Sequence, residues 1–256
     1  MDEQRKADLR NELTKFASRY WAGEAEVAHA FFSVERTSEE HMRWLGLQAF
    51  KELQPRTDGI IIKLIEKLKD DYSKLDGDVN RHDFLYTTQF LEEEFRHYVL
   101  FADVMDHITG KKITPEELKA YELPHEIELR SVRKGYADKY GPLARFASSF
   151  CEGGGASIYY EGSLMTGSPL AEYIANACQG VYDDEVDHAV HGASDLSNAA
   201  DTEEDWALAK EMVAAISEQR VRMRNEQFGF PMSDARFAEM VAGTIEVPER
   251  YAAMLV

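Results

Sequence analysis

The chain has 256 residues, 44% of them hydrophobic, enough for a sizeable core in one large domain. Lys and Arg number 29 against 47 Asp and Glu, a formal charge of -18, which argues against the clustered basic surface that gives nucleic-acid binding most of its affinity. No stretch approaches the roughly 20 apolar residues that span a bilayer, and two cysteines, Cys151 and Cys178, do not make a disulfide framework. The sequence therefore predicts a soluble protein of a reducing cytoplasm, with neither nucleic acid nor membrane as partner.

From Glu3 to Tyr20, Leu9, Leu13, Phe16 and Tyr20 recur at helical spacing, and Val27 to Val34 forms a second apolar segment. Thr37-Ser38-Glu39-Glu40 reads as a cap for a helix carrying Met42, Trp44, Leu45, Leu47 and Phe50 as far as Gln54, where Pro55 kinks or restarts it. Pro55 to Lys74 is again helical, with Ile61, Leu64, Ile65, Leu68 and Tyr72 inward. The turn Leu75-Asp76-Gly77-Asp78 leads into a long helix ending near Gly110. Thr114-Pro115-Glu116-Glu117 caps a short helix, and Pro124 closes an irregular link. Leu143 to Met165 and Leu170 to Ser197 form an antiparallel pair around Gly167-Ser168. Thr202 to Gln227 is a further helix and a last one starts at Ser233. No strand alternation or repeat appears. The fold class is all-α, a single helical domain over 1–256 with a core bundle at about 55–197 and flanking helices at 3–54 and 202–256.

The stretch Thr87 to Ile108 organises the rest. Thr87, Phe90, Leu91, Glu94, His97, Tyr98, Phe101, Met105 and Ile108 share one helical face, apolar but for Glu94 and His97. Such a pair costs several kcal/mol to bury unless something compensates it, and a metal ion is an economical partner. Glu-x-x-His occurs four times, so each instance needs context. Glu122 and His125 flank Pro124 in a link, and Glu26 and His29 lack an evident helical carboxylate partner. Glu185 and His188 repeat the Glu94 pattern on a face with Ile174, Cys178, Val181, Ala189, Gly192 and Leu196. Glu152 lies about as far before the Gly167-Ser168 turn as Glu185 lies after it, which sets the two at one level. It shares its face with Ser148, Ser149, Gly155, Ala156 and Tyr159, small side chains expected to leave room for a substrate. Glu161 is rotated away and drops out. Asp184, one turn before His188, is a candidate to orient its imidazole, and Tyr159 is a neighbour. The Gly153-Gly154-Gly155 run predicts close helix packing or a distorted turn. Without metal, the alternative is a pair of core histidines satisfied by carboxylates.

Glu94-x-x-His97, Glu152 and Glu185-x-x-His188 resemble the ligand set of ferritin-like di-iron carboxylate proteins, in which two helices each give Glu-x-x-His and two each give one carboxylate. The resemblance spans about Pro55 to Ser197 and implies a four-helix core. It also implies a first carboxylate, for which Asp58 is the candidate, 36 residues before Glu94, whereas Glu66 projects with Lys63, Lys67 and Asp70. The chain is similar as well to haem-oxygenase-like di-iron oxidases, which need no carboxylate from the preceding helix. Either resemblance implies two iron ions, or one iron and one manganese, and an oxygenase or oxidase using dioxygen, a small organic substrate and an electron donor, with a homodimer as the default assembly. The other classes are a ferritin-like iron oxidation and storage protein, and a metal-free thiaminase-type helical protein in which Cys151 or Cys178 reacts.

Overall fold

A computed structural model describes residues 1–55 and 59–249, and the side chains of all of these except 186–192. Among the described residues the chain is all-α, with no strand. The helices are α1 (Glu3–Phe32), α2 (Ser38–Leu53), α3 (Ile60–Tyr72), α4 (Arg81–Thr109), α5 (Pro115–Leu118), α6 (Pro124–Tyr140), α7 (Pro142–Phe150), α8 (Gly153–Ser163), α9 (Pro169–Ala199), α10 (Glu203–Gln227) and α11 (Asp234–Ala242). No described helix is long and apolar enough to cross a membrane.

Where the sequence reading takes one domain, the chain's contacts gather into two compact units, 1–36 with 123–256 and, between these pieces, 37–122. In the discontinuous unit, α1 packs against α8 and α10, and α9 against α7 and α8. The core there includes Trp21, Phe150, Ile174, Leu196 and Met212. The two N-terminal segments expected from the sequence are one 30-residue helix. Gly23 sits within it because the Met240 side chain fills the place of a Cβ. The triple glycine is explained in the same way. A Cβ at Gly153 would come within 2.9 Å of the Trp21 indole, and one at Gly154 would strike the Glu24 carboxylate. Close packing of α1 on α8, one of the two roles expected of the glycine run, is thus what Gly153 and Gly154 permit.

Two further differences follow from local chemistry. Pro124 does not close a link but starts α6 from its first turn, where the missing N–H is no loss. The segment expected as one helix from Leu143 to Met165 breaks at Cys151 and Glu152, whose N–H groups bond three residues back, to Ser148 and Ser149 carbonyls at 3.1 and 2.9 Å.

The continuous unit is built on α2 packed against α4, with α3 beside α4 and α5 against α2. A capping box starts α2, in which Thr37 and Glu40 bond each other's backbone N–H. Trp44 on α2 meets Phe101 on α4 edge-on at 5.9 Å. The α3 helix buries only Ile61 and Leu64. Ile65 and Tyr72, expected inward, are exposed.

Candidate metal centre

Glu94 and His97 project from α4 as the sequence predicts. His97 is fully buried and Glu94 half-buried. What completes the group is Glu52, in the last turn of α2. One ligand atom from each of Glu52, Glu94 and His97 can be chosen so that all lie within 4.8 Å of one another. Glu52 Oε2 stands 4.0 Å from His97 Nδ1, too far for a hydrogen bond, while an ion about 2.0–2.2 Å from each fits between them. The grouping follows from antiparallel packing: Trp44 opposes Phe101, and two turns on along α2 Glu52 comes level with Glu94, two turns back along α4, with His97 one turn from it.

The electrostatics favour a cation. Glu52 is 7% exposed and sits just before the helix end at Gln54, where the helix dipole is negative and a carboxylate is disfavoured. A second carboxylate, Glu94, stands beside it. Two carboxylates and an imidazole are donors suited to iron or manganese, whereas structural zinc prefers thiolates or more imidazoles. The residues present therefore fit such an ion, with Glu52, Glu94 and His97 as its ligands and further positions left for water or substrate. Asp58, the carboxylate expected in this role, lies outside the described residues.

The other expected ligands belong to the discontinuous unit. Glu152 falls at the break between α7 and α8, its Oε1 3.9 Å from Arg133 Nη2. Glu185 Oε2 and Arg220 Nη2 each lie 3.7 Å from the place of a Gly155 Cβ. The side chain of His188 is outside those described. Tyr159 is buried and Asp184 half-buried in this unit. Guanidinium groups thus stand near the carboxylates for which the sequence reading invoked metal.

The centre of that arrangement is Glu24, which the sequence reading did not single out. It is fully buried. Arg220 donates to both its oxygens, at 2.9 and 3.2 Å, and Arg224 Nε approaches at 3.4 Å. Burial works against the charge on Arg220, but Glu24 more than offsets it and the pKa is raised. Arg133 shows the reverse: burial, then the charge of Arg220, lowers its pKa. A signal existed in the sequence, since Ala209, Val213, Ile216, Arg220 and Arg224 form one helical stripe with two cations at its end.

The remaining motifs separate. Glu26 is held by Arg236, with Nε and Nη2 both at 2.9 Å from its oxygens. His29 Nδ1 pairs at 3.0 Å with Glu161, the carboxylate set aside in the sequence reading. His125 opens α6 and donates its backbone N–H to Glu226 Oε2 at 2.9 Å. Burial pushes the Cys151 thiol up to about 11 and the Cys178 thiol up to about 12. Both are poor nucleophiles near neutral pH. No family model matches the chain, and neither a curated protein nor a solved structure matches it.

Proposed function

We propose that the protein is a non-haem iron oxidoreductase, an oxygenase or oxidase of the di-iron carboxylate kind acting on a small organic molecule. The observation that carries this reading is the Glu52–Glu94–His97 group. One carboxylate from one helix and Glu-x-x-His from another is half of the ligand set that ferritin-like di-iron proteins use, and Glu52 on α2 would supply the carboxylate for which Asp58 was the sequence candidate. Glu152, Glu185 and His188, the other ligands expected from the sequence, belong to the discontinuous unit; metal stoichiometry decides between one ion and two, and between iron alone and iron with manganese. Ferrous iron bound here would supply electrons to dioxygen, with an external reductant restoring it. Glu52 and Glu94 would hold the ion by charge, and His97 would fix its position from the rigid middle of α4.

In the same unit, Leu53, Ile61, Ile62 and Pro115 line a largely apolar cleft of about 550 Å³ with Glu66 and Lys119. It begins at the residue after Glu52 and suits an apolar substrate. The high thiol pKa values of Cys151 and Cys178 disfavour the thiol-based alternative, and two buried, unpaired cysteines accord with a reducing cytoplasm.

The test is anaerobic loading with ferrous iron, metal analysis, and oxygen uptake on mixing with aerated buffer. Wild-type protein should bind one or two irons per chain and consume oxygen. Glu52→Gln and His97→Gln should each lose at least one iron and the uptake. Full iron retention in both variants, or no stoichiometric iron in the wild type, would overturn the reading.

A further inference from the structure

Gln48 lies one turn before Glu52 on α2 and is 2% exposed. Its amide Nε2 donates to Glu52 Oε1. The other carboxylate oxygen, Oε2, is the one that faces His97 at 4.0 Å. We propose that Gln48 is a positioning residue that sets how Glu52 binds the metal, occupying Oε1 so that Oε2 alone is presented to the ion. This inference rests on reading Glu52, Glu94 and His97 as metal ligands.

The physical basis is the freedom of a glutamate side chain. Three rotatable bonds let an unrestrained carboxylate bind through one oxygen, through both, or turn away. A buried amide that donates to one oxygen removes most of that freedom, and with little water present nothing competes for the bond. The helix that carries both residues is itself locked one turn further back, where Trp44 meets Phe101. Gln48 and Glu52 are therefore fixed relative to α4 before an ion arrives. The arrangement also keeps a coordination position that a bidentate carboxylate would fill, which leaves it for water or substrate.

The experiment uses full-length protein freed of metal and titrated with cobalt(II) as the probe, followed by calorimetry and by visible absorption, which reports coordination number. Wild type, Gln48→Met and Glu94→Gln are compared. Gln48→Met keeps length and bulk but removes the donor. Loss of such an outer partner typically weakens a site about 10–100-fold. Gln48→Met should bind cobalt 10–100-fold more weakly, with altered band positions and intensities, while Glu94→Gln loses the site. Should Gln48→Met fail to fold, Gln48→Leu is read in the same way. Wild-type affinity and an unchanged spectrum in the Gln48 variant would overturn the proposal while leaving the metal site standing. If wild type bound no cobalt, or Glu94→Gln bound it as tightly, the metal reading itself would fall and the role of Gln48 with it.

Discussion

Glu24 holds two guanidinium groups in a place that water does not reach, so its removal leaves cations that cannot be neutralised. Breaking such a buried pair by removing one partner costs about 3–5 kcal/mol. Glu24→Gln, which keeps the shape, should lower stability by that order in chemical denaturation; a cost below about 1 kcal/mol would mean that Arg220 finds an alternative partner in the folded state. The cysteines give a second prediction with a definite sign. Their folded pKa values, about 11 and about 12, lie above the ordinary 9.0, so the folded state keeps protons that the unfolded state releases. Stability from this source is complete below pH 9 and is lost as pH rises from there toward 11 and 12, by about 1.4 kcal/mol per unit for each thiol. A Cys151→Ala, Cys178→Ala variant should show a shallower fall in stability between pH 9 and 10.5 than wild type. Equal slopes would refute the assignment.

At the scale of elements, two glycines in helices should respond in opposite directions to the same substitution. Gly154 opens α8 against a carboxylate that Arg220 and Arg224 hold in place, so Gly154→Ala must displace a fixed group. It should destabilise by about 2 kcal/mol or more. Gly135 is exposed within α6 with nothing near its missing Cβ. Gly135→Ala should stabilise by about 1 kcal/mol through helix propensity. Thermal denaturation of the two variants checks both signs. Elements with strong punctuation were legible from sequence: Thr37 with Glu40, Thr114 with Glu117 and Thr202 with Asp205 all form the capping boxes their spacing suggests. The α6 helix was not, because its buried face is little more than Glu126 and Leu129 and gives no apolar period. Two of the three members of the candidate metal group were legible, since Glu94 and His97 interrupt an apolar stripe. Glu52 was hidden because it stands between Lys51 and Pro55 in what looks like a polar helix end, and only the pairing of α2 with α4 reveals its partner. Asp58, favoured for its place 36 residues before Glu94, lies outside the described residues.

The whole molecule carries a formal charge of -18. Self-repulsion on that scale favours expanded states and is screened over about 10 Å at 0.1 M salt. Raising sodium chloride from 0.01 to 0.3 M should therefore raise the Tm of wild-type protein by several degrees. A falling Tm would show that surface ion pairs such as Arg5–Glu203 and Lys6–Asp201 outweigh the repulsion between like charges.

The division of the chain has a consequence for its synthesis. The first helix belongs to the same unit as α8 and α10, yet the whole of 37–122 is made before either of them. At about 5–20 residues per second, the ribosome needs roughly 6–24 s after completing α1 to reach Gly153, where α8 begins. Throughout that interval Trp21, Phe31 and Phe32 lack the neighbours that bury them, and Glu24 lacks its arginines. The nascent chain therefore presents a sticky helix long before its partners exist, while the enclosed unit is still being made. Its expression in the cell should depend on chaperones that hold such segments during translation.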